Sequence, residues 1–304
     1  VLRDQGFRAA ARKANKKFLF NKSIRKVSHS IEIPLISSNA IDAKIASSPL
    51  TSKVSVVIPT KNAGEEFEYI LRKITQQEGI GEIELIIIDS GSDDRTREIS
   101  RGYTKNIVQI PPADFHHART RNLGAEKATG KFLVFTVQDA IPVGNQWLFK
   151  LLYPIEQGQV SAVSARQIPR SDADIFSCWS YWSHNIKYLG GYRDCICNNS
   201  LFKDFDDLDV QAKRSMAKLD SVSLGIRKSV FDEYHFIPDY AEDLDLGIRL
   251  IKSGHSLLFQ SSNAVIHSHS RPAFYFLKRS YADTAGLWAI LQILILVTKP
   301  KVLL

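Results

Sequence analysis

Cysteine is scarce. Cys178, Cys195 and Cys197 are the only three in 304 residues. Their odd number gives no disulfide framework, and no CxxC pair is present to build a zinc half-site. The expected setting is therefore a reducing compartment. Long apolar runs are scarce as well. The N-terminus is basic and has no apolar segment of signal-peptide length, so no secretory signal is expected. The last apolar stretch, residues 287–298, has one polar member, Gln292, and ends at Lys299-Pro300-Lys301. It falls short of the roughly 20 residues that a spanning helix needs, so a helix on a membrane surface or packed on protein fits it better.

Acid is almost missing from the first 30 residues, where nine Lys and Arg face Asp4 alone, a net charge of +8. The whole chain has 40 Lys+Arg and 32 Asp+Glu, so the remaining residues balance at 31 against 31. A basic chain would normally point to nucleic acid. Here the excess belongs to an arm and not to the body, and nucleic acid is not expected as a partner. The chain begins with Val and stops inside an apolar stretch, so it is expected to be a piece of a longer polypeptide with other domains.

With 44% apolar and 10% aromatic residues the chain can bury a full core. Residues 6–27 place Phe7, Ala10, Ala11, Ala14 and Phe18 at helical spacing with basic residues on the other faces, a basic amphipathic helix. Residues 37–52 are rich in Ser and Ala and read as a linker. An α/β pattern starts at Lys53. Apolar runs at 54–58 and 84–88, separated by a helical stretch at 65–77, are the signature of a βαβ unit with buried parallel strands. Further strands are expected at 107–110, 132–137, 160–164, 222–226 and 264–267, and helices at 119–128, 147–156, 175–188 and 242–253. Residues 198–209 are polar and acidic and read as a loop. The expected organisation is an arm and linker over 1–52, one α/β domain over 53–284 and an apolar helical segment over 285–304.

In an open parallel sheet, ligands sit beyond the carboxyl ends of the strands. The residues at those ends are polar here: Pro59-Thr60-Lys61-Asn62, then Asp89-Ser90-Gly91-Ser92-Asp93-Asp94, then Gln138-Asp139-Ala140. Neither GxGxxG nor GxxxxGK[ST] is present, which removes the dinucleotide fold and the P-loop.

Val56-Val57-Ile58-Pro59-Thr60-Lys61-Asn62 and Ile87-Ile88-Asp89-Ser90-Gly91-Ser92-Asp93-Asp94 resemble the opening nucleotide-binding strands of inverting family-two glycosyltransferases with the GT-A fold. The segments 115–124, Thr136-Val137-Gln138-Asp139-Ala140, Arg166-Gln167, Glu242-Asp243-Leu244-Asp245-Leu246 and His267-Ser268-His269-Ser270 are similar to the bacterial dTDP-rhamnosyltransferase branch. The resemblance implies an α/β fold with a mostly parallel central sheet flanked by helices. It also implies a donor-nucleotide pocket at Pro59, Thr60, Asn62, Asp89, Ser90, Gly91 and Gln138, with Arg121 and Asn122 reaching the diphosphate or ordering its loop. Asp89 and Ser92 could instead cap the following helix.

A nucleoside diphosphate leaving group needs its developing charge neutralised, most simply by a divalent ion on hard oxygens. The Asp-x-Asp of relatives is Val137-Gln138-Asp139 here, so the resemblance gives the metal, Mg2+ or Mn2+, to Asp139. His267 and His269, two apart at the end of a strand, point to the same side and are the further metal candidates. Inversion needs a base for the acceptor hydroxyl. The resemblance assigns it to Asp243, with Glu242 positioning the acceptor or bracing the site and Asp245 pairing with Arg249 one turn on. His117, Arg166 and Gln167 are expected near the donor sugar, and Trp179 near the acceptor. Cys195 and Cys197 are expected to be non-catalytic.

The implied activity is transfer of a sugar, L-rhamnose from dTDP-L-rhamnose, to a glycan or lipid-linked glycan acceptor of a bacterial surface polysaccharide such as an O-antigen. The enzyme would work in the cytoplasm, peripheral at the inner face of the membrane, with the basic arm and the apolar tail contacting anionic lipid or a neighbouring domain. Alternatives are another donor such as a UDP-hexose, a nucleotidyltransferase, for which Lys61-Asn62-Ala63-Gly64 supplies no Gly-rich basic loop, and a non-catalytic module binding nucleic acid or membrane.

Overall fold

The computed structural model describes residues 48–188, 193–198, 208–238 and 240–269, and single positions 205, 274, 275 and 278. The basic arm, most of the linker and the apolar segment 285–304 lie outside the described residues.

Strand β1 (Val54–Thr60) is buried on both faces, which only a central strand covered by helices on each side can be. Its alternate residues divide between two cores. Val54, Val56 and Ile58 face a layer built on helix α1 (Glu66–Thr75) and helix α4 (Trp147–Glu156), with Phe67, Ile70, Leu71 and Trp147 packed against them. Val57 faces a layer built on α3 (His117–Lys127), α7 (Lys228–Tyr234) and α8 (Glu242–Lys252). Helix α1 shows the sequence cause: Phe67, Ile70, Leu71 and Ile74 fall at i, i+3, i+4 and i+7 and are all buried, each contributing about 1.5–3 kcal/mol.

Strands β2 (Ile83–Asp89) and β3 (Ile107–Gln109), and then β4 (Phe132–Thr136), pair in parallel around β1, with α2 (Thr96–Arg101) and α3 as crossovers. The remaining strands are β5 (Ile141–Pro142), β6 (Ala162–Ile168), β7 (Cys195–Cys197), β8 (Ser223–Arg227) and β9 (Leu257–Ile266), with α5 (Ile175–Tyr188) and α6 (Val210–Met216) between them. The sheet has nine strands in the order β3-β2-β1-β4-β8-β6-β9-β5, and β7 also pairs with β9. Strand β8 runs antiparallel to both β4 and β6, while β6 and β9 are parallel. The sheet is thus parallel on one side of β4 and mixed on the other, where a mostly parallel sheet was expected throughout.

The register between β6 and β9 shifts at Ala165/Arg166, where the partner of β6 jumps from Gln260 to Ala264. That shift extends β9 back to Leu257, seven residues before the strand expected from sequence. Strand β7 lies just before the stretch expected to be a loop, and β7, α6 and α7 were not expected. Leu50 is buried and bridges Ile80 in parallel, so the chain joins the body before Lys53. Close approach of α8 to the segment before β8 depends on Gly247, where a Cβ would stand 2.7 Å from the Ala217 carbonyl oxygen.

Candidate active site

Three loops beyond the ends of β1, β2 and β4 meet through their own side chains. Asp89 ends β2 almost wholly buried. Its Oδ2 accepts from the Ser92 amide at 3.1 Å, its Oδ1 accepts from the Ser92 hydroxyl, and the Thr60 hydroxyl lies 3.4 Å away. Arg97 Nε stands at 4.0 Å from Oδ2. Ser92 Oγ in turn accepts from Asn62 N at 2.9 Å, and Asn62 Oδ1 accepts from Asp93 N at 3.0 Å. Ser90 donates its hydroxyl to the Thr60 carbonyl at 3.0 Å, and Gly91 turns with φ 81. Gln138 ties the β4 end to β1: its Oε1 accepts from Lys61 N at 2.7 Å and its Nε2 donates to Lys61 O at 3.1 Å. Pro59, half-buried, precedes Thr60 at the end of β1. The side chain that caps α2 is Asp94, which accepts from Thr96 N at 2.9 Å, and not Asp89 or Ser92.

Asp139, His267 and His269 come together. Asp139 Oδ1 is 3.5 Å from His267 Nε2, Asp139 Oδ2 is 3.4 Å from His269 Nδ1, and one ligand atom from each residue lies within 4.8 Å of the others. Burial works against the Asp139 charge, but the hydrogen bond and charge of His267, with that of His269, hold its carboxyl below its usual range. Gln167 Oε1 faces His267 Nδ1 at 2.7 Å, and Gln167 Nε2 donates to Asp220 Oδ2. Because a carboxylate only accepts, Asp220 fixes the Gln167 amide with its oxygen toward His267. His267 then carries a proton on Nδ1, and Nε2 is the ring nitrogen that faces Asp139. The Tyr181 hydroxyl also reaches Nδ1, at 3.3 Å. Arg170 braces this corner, holding Glu66 at 2.7–2.8 Å and donating to the Asp139 carbonyl at 3.2 Å.

The acidic cluster opens α8 immediately after Ala241, a non-glycine residue in the left-handed region at φ 53. Asp243 Oδ2 accepts from Ser221 N at 3.0 Å and Oδ1 from Leu244 N at 2.8 Å. Glu242 is buried, accepts from the Ser221 hydroxyl at 3.1 Å and pairs with Arg121 Nη1 at 3.1 Å. Burial, and then the charge of Glu242, raise the Asp243 carboxyl to about 6, against the opposing hydrogen bonds from Ser221 and Leu244. Asp245 pairs with Arg249 at 2.8 Å, as its spacing predicts.

These contacts bear on two donor-side expectations. Arg121, expected to reach the diphosphate or to order its loop, is buried against Glu242 and donates to the His117 carbonyl at 3.1 Å, so it braces the carboxylate pair. Asn122 commits both ends of its amide to the Phe236 backbone, at 2.8 and 3.1 Å, and pins the loop before α8. His117 lies 3.4 Å from Arg121 and edge-on to Phe115. Arg166 sits at the β6 register shift, and Gln167 touches the histidine cluster instead of an open pocket. Trp179 is 60% exposed on α5, the helix that reaches the same corner through Ser177, whose hydroxyl donates to the His269 carbonyl at 2.8 Å. Asp220 and Ser221, which join the histidine cluster to the carboxylate pair, were missed. They lie in a turn with no motif, and only their position just before β8 could have drawn attention.

A model of the family described as glycosyl transferase family 2 matches residues 55–231. The O-antigen chain rhamnosyltransferase WbaN of Salmonella anatum is 32% identical over 224 residues, which is 71% of this chain and 66% of that protein. The chain therefore spans just under two thirds of that relative. The O-antigen chain rhamnosyltransferase RfbN of Salmonella typhimurium is 30% identical over 72% of this chain and 67% of its own. Among solved structures, glucosyl-3-phosphoglycerate synthase of Mycobacterium tuberculosis, in complex with Mn2+, UDP and phosphoglyceric acid, superposes with a TM-score of 0.57 at 16% identity, over 87% of this chain and 86% of that one. The mannosyltransferase PcManGT of Pyrobaculum calidifontis, in complex with GDP-Man and Mn2+, gives 0.54 at 17% identity, over 80% and 70%.

Proposed function

The chain belongs to glycosyl transferase family 2 and has the GT-A fold, and we propose that it moves L-rhamnose from a dTDP-linked donor to a hydroxyl of a bacterial surface polysaccharide intermediate, with inversion at the sugar carbon. The choice of rhamnose rests on the two Salmonella relatives. The reaction type rests on one observation, the Asp243 carboxylate fixed by two amides beside the Arg121–Glu242 pair. In a single displacement the acceptor hydroxyl attacks opposite the leaving diphosphate, and a base must take its proton. Asp243 is ionised at neutral pH, and its raised proton affinity makes it a stronger base than an ordinary carboxylate. Arg121 neutralises Glu242, so the second carboxylate braces the helix end without adding a free charge.

On the donor side, Asp89, Thr60 and Asn62 form the floor for the nucleoside. Asp139, His267 and His269 offer one carboxylate and two imidazoles within reach of one ion, a fit for a divalent cation and a better one for Mn2+ than for the oxygen-seeking Mg2+. When bound there, the ion would neutralise charge on the departing diphosphate. The acceptor is a glycan or a lipid-linked glycan, and the basic arm of residues 1–30 is the contact to anionic lipid at the cytoplasmic face. Among the described residues no helix is long and apolar enough to cross a membrane.

Asp243→Asn tests the assignment. Transfer from dTDP-rhamnose is expected to fall by about 10²–10⁴-fold while dTDP affinity in calorimetry stays unchanged. Substantial residual transfer would overturn it. In the wild type, the rate should fall as pH drops below about 6, because Asp243 then takes up a proton and cannot accept another.

A further inference from the structure

Strand β7 carries two thiols that the proposed transfer does not use. Cys195 and Cys197 are two apart on a strand, so both point to the same side, and their sulfurs lie 3.9 Å apart with exposures of 5% and 7%. The Lys218 ammonium, equally buried, donates to Cys195 Sγ at 3.2 Å. Among the described residues no carboxylate pairs with Lys218. A buried ammonium needs a counter-charge, and among the described residues the groups that face it are these two sulfurs.

The hydrogen bond from the Cys197 thiol, followed by the Lys218 charge, therefore lowers the Cys195 thiol well below its usual range. Cys197 is driven the other way by its hydrogen bond to Cys195 and by burial, and stays a thiol. One sulfur is a nucleophile and the other is its neighbouring proton carrier. Two sulfurs are too few for a structural zinc, and the only group of three metal-ligating residues among the described residues is Asp139 with its two histidines.

We propose that Cys195 and Cys197, beside Lys218, form a dithiol that hydrogen peroxide closes to a disulfide and that a thiol reductant reopens. The Cys195 thiolate attacks one peroxide oxygen: an S–O bond forms, the O–O bond breaks, and the released hydroxide leaves as water after taking the Cys197 proton. The Cys197 thiolate then attacks the sulfenic sulfur. The S–S bond forms, the S–O bond breaks, and the second hydroxide leaves as water with a proton from solvent. Two thiols and one peroxide give one disulfide and two waters. Residues i and i+2 of a strand stand about 6.6 Å apart at Cα, at the wide end of the span of about 4.4–6.8 Å that a disulfide bridges, and their Cβ atoms must draw in to about 3.5–4.5 Å, so closure bends the three-residue β7.

Closure has a consequence three residues away. It removes the thiolate that balances Lys218, and Lys218 is followed by Leu219, Asp220 and then Ser221, which holds Asp243 and Glu242. An uncompensated buried ammonium displaces that segment. Oxidation therefore lowers transfer, a consequence that rests on the function proposed above, whereas the thiol chemistry does not.

The test treats the full chain with a small excess of hydrogen peroxide, unfolds it in N-ethylmaleimide and maps the peptides by mass. The expected result is a peptide bearing Cys195 and Cys197 that is unlabelled and two hydrogens lighter, and that becomes labelled after dithiothreitol, while Cys178 is labelled throughout. Labelling of both Cys195 and Cys197 after peroxide, or Cys195 passing to sulfinate without closure, overturns the proposal. Cys197→Ser should stop the reaction at oxidised Cys195; a bridge that still forms would implicate a different partner and also overturn it. Transfer by the closed form should fall at least about tenfold and return on reduction. Unchanged transfer by the closed form overturns the link to Asp243, whereas closure in a chain that transfers nothing in either state counts against the function alone.

Discussion

On the parallel side of the sheet, Asp89 is held by the Thr60 hydroxyl 29 positions away and by Ser92 three positions away. On the mixed side, Glu242 is held by Arg121, and His267 by Gln167, 100 positions earlier. Polar groups buried at the proposed donor end are thus satisfied by hydroxyls and amides, most of them between β1 and β2, the two strands of one βαβ unit. Those at the catalytic end are satisfied by ionised or strongly polar partners that only the finished fold brings together. The donor end is a set of local motifs, while the catalytic end is an assembly whose parts can be displaced without unfolding the chain.

Asp139→Ala should strike the assembled side hardest after Asp243→Asn. With it, or after chelation of wild-type protein, transfer is expected to drop at least about a hundredfold, and the stabilisation that Mn2+ gives in thermal melts should vanish. Retention of both would break the contrast, because the histidine corner would then be only packing. Gln167→Leu removes the acceptor that sets the His267 tautomer without touching Asp139. A loss of about 10–100-fold in Mn2+ affinity by titration, with the unfolding midpoint little changed, would sharpen the contrast between displacement and unfolding. The opposite pattern belongs to the parallel side. At Gly124 of α3 a Cβ would stand 2.3 Å from Val57 Cγ1, so Gly124→Ala should cost about 1–3 kcal/mol in chemical denaturation while Mn2+ affinity stays unchanged.

The same contrast explains what the sequence disclosed. Buried β1, β2 and β4 announce themselves as runs such as Val56-Val57-Ile58, and the polar residues at their ends follow at once. Helix α8 shows its apolar face and its acidic start in a single turn. The paired histidines were legible because two positions on a strand share one side, and the acidic residues because they open the helix, with the role of Asp243 implied by the family resemblance. The pairing of Arg121 with Glu242 was not legible, because nothing within the helix of Arg121 indicates its partner. Strand β7 has three residues among polar neighbours, too short for any periodicity, and owes its existence to pairing with β9. Helix α6 did carry a signal, Asp209 as N-cap accepting from Ala212 N at 2.8 Å, but its seven residues of weak apolar pattern hid it. The start of β9 was lost to the register shift, which breaks the alternation that marks a strand.

Gly247 has a bearing on how a bulky acceptor is received. With no side chain between them, α8 rests directly on the Ala217 backbone, and Lys218 to Ser221 continue from that point of contact. Asp243, the proposed proton acceptor, and Ser221, which holds it, are thereby keyed to one another like a tenon in its socket. If the acceptor is a long glycan, as proposed, whatever breathing admits it must carry both together, so the aim of Asp243 survives each opening. The play in the machine is moved outward, to the loops around it.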